Sequence, residues 1–562
     1  MRTESLAPFL AALLLLTAPH AAAAAAHSNQ KVEPIRGNGI PSDAELERSG
    51  AVIGRIVIRN DNIFDLANPK DNNWLFRLAD RLHPVTRVST IRQQLLFHTG
   101  ERYSRHLLDE SARILRGNPY FYDASIRPLA YHDGKVDVLV LTRDVWTLNP
   151  GFDFSRSGGK STTGVQIEDI NTLGTGTDVK LEHSNSVDRT ESDIEVANPH
   201  TLGTWFTTDI AYGSLSDGKM RRFILDRPFY SLETRHAGGI SLNDTTEDDS
   251  LYNLGQEIDK FADHARFFQL YGGFSQGLEN GWTRRYSAGL SYDEHTFSPS
   301  HLWTEPTVLP ADRKLVYPWL RFDLVQDQFV KLHNHNQIGR TEDFDLGAYA
   351  TAQVGWADKA FGSSQRALTL MLATGDGYAL SKRDTLLVSS VFTGRVQNGS
   401  LENGVLDSAA RFYAEQSGYW PFREGNWLFF TTLAATEGKR LDLEDQILLG
   451  GDNGLRGYPL RYQDGTSRAL LSLEERYFSD WYPFRLFRVG AAVFFDMGRT
   501  WGQPQLATPG LGLLKDAGFG LRFGNARTGL GNVIHVDLAF PFDRGPTSIN
   551  RVQFLVQTEQ EF

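Results

Sequence analysis

The most informative stretch of this chain is Gly450-Gly451-Asp452-Asn453-Gly454-Leu455-Arg456-Gly457-Tyr458. It is a glycine-dense loop that holds one arginine beside one aromatic ring. Glycine permits positive φ and close backbone approach, so the loop can fold back tightly on itself. A guanidinium carries five donors and no acceptor, so Arg456 needs a carboxylate if the loop enters an enclosed space.

Candidate partners for Arg456 lie further along the chain. Asp496 stands in the apolar stretch Val493-Phe494-Phe495-Asp496-Met497-Gly498, where its charge is costly unless it is paired. Glu474 shares one face of the extended run Ala469–Phe478 with Ser472 and Arg476, which makes it a second candidate carboxylate. We expect Arg456 to bond Asp496, with Glu474 nearby. The alternative is a solvated loop arginine.

The two motifs together resemble the BamA/TamA superfamily of outer-membrane protein assembly and translocation barrels, the bacterial surface antigen family. In that superfamily a Val/Ile/Leu-Arg-Gly-Phe/Tyr loop folds back into a β-barrel, and its arginine meets the aspartate of a nearby Asp-x-Gly strand. The matching residues here are Leu455, Arg456, Gly457, Tyr458, Phe494, Phe495, Asp496 and Gly498. The resemblance implies a transmembrane β-barrel of sixteen strands.

Composition narrows the class of protein. The chain has 562 residues, no cysteine and a net charge of −11. This length allows two or more domains. The acidic balance argues against a nucleic-acid surface, and the lack of cysteine excludes a disulfide framework or a thiolate metal site.

Residues 1–26 are predicted to be a secretory signal peptide. Arg2 supplies a basic start, Leu6 to Leu16 form a short apolar core, and Ala21 to Ala26 offer an Ala-x-Ala cleavage site. The later sequence contains no run of apolar residues long enough for a membrane helix. An exported chain of this kind can enter a membrane only as a closed barrel, because lipid offers no partner to an open sheet edge.

Residues 27–49 are predicted to be a flexible lead-in, and residues 50–145 a small α+β domain. Ser104 can cap a helix that stops at Gly117, and Asp133-Gly134 is a favourable turn between two strands. The order of one strand, helices and two strands resembles a single polypeptide-transport-associated (POTRA) domain. Any other small α+β domain is the alternative. A free strand edge of such a domain can bind an extended peptide.

Residues 147–562 are predicted to form the outer-membrane β-barrel, because short runs with alternating apolar and polar residues recur between turn residues. Five clear runs follow the arginine loop, and about fifteen to seventeen precede it. These runs outnumber sixteen strands, so either several are hairpin loops that reach out of the membrane or the barrel is larger than those of the superfamily. By resemblance we expect sixteen strands. Phe562 ends the last run and resembles the C-terminal signal of outer-membrane proteins. The seam between residues 148–157 and 551–560 is expected to have few ladder bonds.

Catalytic motifs give weak signals. Gly273-Phe274-Ser275-Gln276-Gly277 fits a nucleophile elbow, but no helix pattern follows it, so we interpret it as the opening of an extracellular loop. His333 and His335 share a predicted strand face without an evident third metal ligand. We predict no catalytic residue, no metal and no cofactor.

The sequence therefore predicts a protein-transport factor in the outer membrane of a Gram-negative cell. Its POTRA domain, in the periplasm, would receive unfolded outer-membrane or secreted polypeptides, and its barrel would insert or export them. Outer-membrane lipids and periplasmic accessory proteins are the other implied partners. Two alternatives stay open: a passive porin, and an outer-membrane lipid hydrolase that would use Ser275.

Overall fold

The computed structural model describes residues 39–305, 307–416, 427–502, 510–525, 527–529, 533–543, 545–546 and 549–559. The predicted signal peptide over residues 1–26 and the terminal Phe562 lie outside this part. Within it the chain forms a small α+β domain followed by a closed β-barrel. No helix of the described residues is both long enough and apolar enough to cross a membrane.

The small domain packs its helices on a three-stranded sheet. The central strand β3 pairs parallel with β1 and antiparallel with β2. Its alternate residues Val136, Val138 and Val140 are fully buried in the domain core. The elements of the domain are α1 (Asp43–Arg48), β1 (Val52–Asp61), α2 (Trp74–Leu82), α3 (Val88–Arg92), α4 (Arg105–Arg116), β2 (Phe121–His132) and β3 (Lys135–Asp144).

Local signals place several boundaries of this domain where the sequence predicts them. The Ser104 side chain accepts a bond from the amide of Leu107, so it caps α4, which ends before Gly117. Asp133 and Gly134 adopt positive φ, of 49° and 73°, in the turn between β2 and β3.

The prediction of a flexible lead-in over residues 27–49 is wrong at its C-terminal end, where α1 forms. Ser42 and Glu45 make a reciprocal capping box that starts the helix. Leu46 is fully buried in the core of the domain, which fixes α1 in place.

Two short hairpins are set apart from the wall of the barrel. They are formed by β14 with β15 and by β21 with β22. All other strands after the small domain close into one antiparallel barrel. The strands are β4 (Leu148–Ser157), β5 (Lys160–Asp169), β6 (Asp178–Asn185), β7 (Thr190–Asn198), β8 (Thr207–Leu215), β9 (Gly218–Arg227), β10 (His236–Asn253), β11 (Gln256–Glu279), β12 (Trp282–Pro299), β13 (Arg313–Gln326), β14 (Phe329–His333), β15 (Thr341–Asp345), β16 (Tyr349–Ala357), β17 (Ala367–Ala379), β18 (Asp384–Gln397), β19 (Ser400–Gln416), β20 (Trp427–Lys439), β21 (Ile447–Leu449), β22 (Gln463–Gly465), β23 (Ser467–Phe478), β24 (Phe487–Trp501), β25 (Leu514–Asn525), β26 (Val533–Pro541) and β27 (Gln553–Glu559).

The expectation of sixteen barrel strands is wrong, because the described barrel has twenty. Strands β4 to β9 have only eight to ten residues each, and each one is a separate member of the wall. Fewer strands would require some of these runs to be hairpin loops outside the wall. The number of extended runs in the sequence was therefore a better guide than the resemblance.

The wall alternates between an inner and an outer face, as the sequence predicts. On β24 the neighbours of exposed Val493 are buried, and Phe494 and Asp496 both point inward. Other strands expose large apolar side chains on the outer face, which is typical of a barrel surrounded by lipid. Examples are Leu270, Leu290, Leu320, Leu433, Phe519 and Leu521.

One insertion enters the barrel from each end. Because successive strands are antiparallel, their connections alternate between the end near the small domain (the domain end) and the opposite end (the far end). The β14–β15 hairpin follows β13 at the domain end and packs against inward-facing side chains of the wall. The arginine loop, residues 440–466, follows β20 at the far end and contains β21 and β22.

Candidate functional site

The arginine loop folds back into the barrel and is anchored by its apolar residues. Leu455, Tyr458 and Tyr462 are fully buried together with Leu449 and Leu514. The Tyr458 hydroxyl donates to the carbonyl of Lys515 on β25 at 2.8 Å.

Close backbone approach explains why a glycine stands next to the arginine. A Cβ on Gly457 would lie 2.6 Å from the Cβ of Asp516 and 3.1 Å from the backbone nitrogen of Pro541. Any larger residue would push the loop away from strands β25 and β26. The loop can therefore present Arg456 to the wall only with glycine at position 457.

Arg456 meets both of the carboxylates that the sequence proposes for it. Its Nε and Nη2 donate to the two oxygens of Asp496 at 2.7 and 2.8 Å, and its Nη1 donates to Glu474 Oε1 at 2.5 Å. The guanidinium also lies over the Phe494 ring, 3.5 Å from its centroid. Asp496 is fully buried, and Ser472 donates to it at 2.6 Å. This bidentate arrangement fixes both the position and the orientation of the loop.

A second arginine extends the ion pair toward the domain end. Arg476, which is 3% exposed, donates from Nε to Glu474 Oε2 at 2.9 Å and from Nη1 to the carbonyl of His335 at 3.2 Å. Its guanidinium lies 3.8 Å from the centroid of Phe430. One buried chain of contacts thus links Arg456 to the β14–β15 hairpin. The sequence places Arg476 on the same strand face as Glu474. It does not predict the hairpin whose His335 carbonyl Arg476 contacts.

The same hairpin binds the small domain. Arg116, at the end of α4, donates from Nε and Nη2 to the two oxygens of Asp343, both at 2.7 Å. The Tyr122 hydroxyl donates to the carbonyl of Gly339 at 2.9 Å. The hairpin therefore touches the domain on one side and the Arg476 chain on the other.

Helix α4 also docks directly on the barrel rim. Glu110, which is 2% exposed, accepts from the amide of Leu232 in the β9–β10 connection at 2.7 Å. His106 lies 3.2 Å from Glu110 and 3.3 Å from Asp327 of the β13–β14 connection. Glu110, followed by the charge of Asp327, raises the pKa of His106. Protonation of His106 therefore strengthens the contact between domain and barrel.

The seam between the last and first barrel strands is weakly paired. Among the described residues β27 and β4 share one residue pair, Val556 with Arg156. By contrast, β26 and β27 share seven pairs, and β4 and β5 share ten. The structure thus agrees with the expectation of few ladder bonds at this place.

The remaining residues of the two motifs lie close to the ion pair. Phe495 faces outward and is partly buried beside Phe542, with ring centroids 6.2 Å apart. Gly498 is buried, and a Cβ there would lie 2.9 Å from the Leu449 side chain.

The structure places two other motifs of the sequence. Ser275 is in strand β11, close to the end of that strand at the domain end. It is fully buried and accepts from the amide of Gly277 at 3.0 Å. His333 ends β14 and His335 lies in the turn of the inner hairpin, so neither is a residue of the barrel wall.

One group of carboxylates in the arginine loop comes close enough to hold a cation. It consists of Asp442, Glu444 and Asp445. Arg313 donates to Asp442 at 2.8 Å and to Glu444 at 2.9 Å, and Arg395 donates to Asp442 at 2.7 Å. The arginines of the wall thus pair with Asp442 and Glu444 and hold the base of the loop.

The fold is similar to that of several solved outer-membrane barrels. For BamA from Haemophilus ducreyi lacking POTRA domains 1-3, the TM-score is 0.37 at 13% identity, over 90% of this chain and 84% of that one. For CdiB from Escherichia coli, the TM-score is 0.47 at 12% identity, over 91% and 77%. For the FrpB iron transporter from Neisseria meningitidis, it is 0.35 at 7% identity, over 78% and 86%.

BamA, whose superfamily the loop motif resembles, is thus among these structural neighbours. No protein-family model matches the sequence, and no curated protein matches it significantly.

Proposed function

We propose that this protein is an outer-membrane barrel that assembles or translocates other polypeptides, with residues 50–145 as a POTRA-like domain in the periplasm. The observation that carries the proposal is the docked arginine loop beside a weakly paired seam. Arg456 is held by Asp496 and Glu474 inside the barrel, while β27 and β4 share a single described residue pair. The domain end is then periplasmic and the far end extracellular.

A weak seam gives the barrel a place to open. In lipid, backbone groups that leave a ladder find no water to replace their partners, so an opening forms where the fewest ladder bonds break. The two strand edges exposed there can pair with an extended client segment. A client strand that binds such an edge can then pass sideways into the membrane or fold against the barrel.

The arginine loop is placed to control this seam from the extracellular end. On one flank, Tyr458 and Arg456 hold β25 and β24. On the other flank, Ser157 at the end of β4 donates to the carbonyl of Gly451 in the loop at 2.5 Å. The loop therefore spans both sides of the seam, and its release would remove a bridge between them.

The small domain is placed to receive clients before they reach the seam. Strands β1 and β2 are the outer strands of its sheet, and an outer strand can accept an extended peptide by strand addition. Crosslinkers placed along these strands should capture extended client segments. Deleting residues 50–145 should abolish client handling; unchanged handling would contradict a receiving role.

The two alternatives from the sequence predict other behaviour. A passive porin needs a steady open pore, whereas here the loop and the β14–β15 hairpin both occupy the interior. A lipid hydrolase needs Ser275 exposed at a strand-to-helix elbow, whereas Ser275 is buried within a β-strand.

Depletion of the protein tests the proposal. A transport factor should, when depleted, cause a defined set of outer-membrane or secreted proteins to disappear, and re-expression of the wild-type chain should restore them. Arg456→Ala re-expressed at the same level should restore them incompletely. An unchanged envelope proteome with reduced uptake of small solutes would instead identify a porin.

A further inference from the structure

Helix α2 of the small domain turns an apolar face to the outside. Trp74, Leu75, Leu78 and Leu82 are 71%, 50%, 42% and 63% exposed. The opposite face is anchored by Phe76, which is 5% exposed and stacks on Phe64 with the ring centroids 3.9 Å apart. A surface helix normally buries its apolar stripe, so a second, exposed stripe of this size indicates an interaction surface.

Buried polar contacts hold α2 at the rim of the barrel. Before the helix, Asp71 is 2% exposed and pairs with Arg485 in the β23–β24 connection and Arg527 in the β25–β26 connection. After the helix, the amide of Arg87 donates to the carbonyl of Gly174 in the β5–β6 connection at 3.0 Å. Because β27 and β4 lie between these connections in the barrel, the segment passes below the seam.

The rim next to α2 exposes large apolar side chains of its own. On the β23–β24 connection, whose Arg485 pairs with Asp71, Trp481 is 62% and Phe484 is 82% exposed. On two further connections at the same end of the barrel, Leu173 and Leu202 are also exposed. The apolar face of α2 thus has exposed apolar side chains as neighbours at the domain end of the barrel. Aromatic residues at the rim of a membrane barrel are typical of the membrane–water boundary.

The local charge around α2 favours a lipid surface over other partners. The chain carries a net charge of −11, but residues 70–92 hold five basic residues against two acidic ones. One of the two acidic residues, Asp71, is buried and paired. On α2 itself, Arg77 and Arg81 are exposed and lie four residues apart, so they share the helix face beside the apolar stripe. Basic residues that flank an apolar stripe are the pattern of a helix lying in the interface of an anionic membrane.

We propose that the exposed face of α2 lies in the periplasmic leaflet of the outer membrane, below the seam. Trp74, Leu75, Leu78 and Leu82 insert between the acyl chains, and Arg77 and Arg81 contact phospholipid phosphates. The inference rests on the proposed membrane location of the barrel. It adds a lipid surface on the small domain, which would hold that domain beside the place where the seam opens.

A depth measurement on the full chain tests this surface, because the chain has no native cysteine. Leu78→Cys carries an environment-sensitive label, and Leu82→Cys serves if the first variant does not fold. Leu129→Cys, at an exposed position of strand β2, is the matched control. The proteins are reconstituted in bilayers of phosphatidylethanolamine and phosphatidylglycerol that contain doxyl-lipid quenchers, without any client. Heat-modifiable electrophoretic migration checks that each barrel is folded.

The label at position 78 should be quenched by doxyl lipid at least about threefold more than the label at position 129. Arg77→Gln with Arg81→Gln should reduce this difference. Equal lipid quenching at the two positions, with equal access of a water-soluble quencher, would overturn the proposal. Protection of position 78 only after an unfolded client polypeptide is added would also overturn it, and would identify a client surface. Because no client is needed for the main result, failure of the lipid surface and failure of the transport function are distinguishable.

Discussion

Replacing Arg456 by alanine perturbs the site most directly. The substitution removes two bonds to Asp496, one bond to Glu474, one bond to Ser472 and the stacking on Phe494. Glu474 keeps Arg476 at 2.9 Å, so its charge stays paired. Asp496 is fully buried and keeps the hydroxyl of Ser472, but it faces Asp516 across the strand pair and has no other described basic partner. The main cost of the substitution therefore falls on Asp496.

The size of the effect follows from these contacts. Leaving a buried charge without its partner costs about 3–5 kcal/mol, and the lost cation–π contact adds about 1–2 kcal/mol. The apolar anchors Leu455, Tyr458 and Tyr462 are untouched, so the loop should loosen while the barrel stays folded. Since 1.4 kcal/mol corresponds to a factor of ten, the docking equilibrium of the loop should fall by about a hundredfold or more.

Hydrogen exchange of the protein in lipid nanodiscs measures this loosening. In Arg456→Ala the backbone amides of residues 448–462 should exchange much faster, while those of the barrel strands should not change. Arg440→Ala is the matched control, because Arg440 lies in the same loop but forms an exposed pair with Glu402, and such pairs contribute about 0–1 kcal/mol. Adding Asp496→Asn to Arg456→Ala should recover part of the loss. Loop exchange in Arg456→Ala equal to that of the wild type would refute the reasoning.

Two further predictions concern the contact between domain and barrel. Reversing the charge of Arg116 or of Asp343 alone should loosen the domain, seen as faster exchange over α4, whereas exchanging the two residues should restore most of the protection; additive losses in the double variant would contradict the pairing. His106 has a raised pKa because of Glu110 and Asp327. Its contribution to the free energy of docking the domain on the barrel is therefore complete below the ordinary pKa of 6.5 and is lost as pH rises through the raised value. Domain docking should weaken over that range, and His106→Gln should remove the pH dependence; an unchanged pH profile in this variant would contradict the assignment.

Local rules predicted the parts of the fold that depend on neighbours in sequence. The cap at Ser104 and the turn at Asp133-Gly134 follow from hydrogen bonds and backbone angles within a few residues. The pairing of Arg456 with Asp496 is a long-range contact, yet it was predictable because each group needs the other when water is absent.

The parts that the sequence did not predict depend on tertiary position. Strands of the inner β14–β15 hairpin have the same extended pattern as strands of the wall, so only their contacts place them inside. The role of Arg476 depends on that hairpin, because its second partner is the carbonyl of His335. The exposure of the apolar stripe on α2 is of the same kind, because it follows from the packing of Phe76 on the opposite face.

The central claim, that polypeptides are handled by opening the seam, is tested most directly by a reversible crosslink. Arg156→Cys with Val556→Cys places two thiols across the only described residue pair of the seam. Val536→Cys with Val556→Cys is the matched control, because it joins β26 to β27 and leaves the seam free. Client insertion into vesicles should stop when the seam disulfide forms, return on reduction, and continue in the oxidised control. Full client insertion with the seam disulfide quantitatively formed would contradict the account.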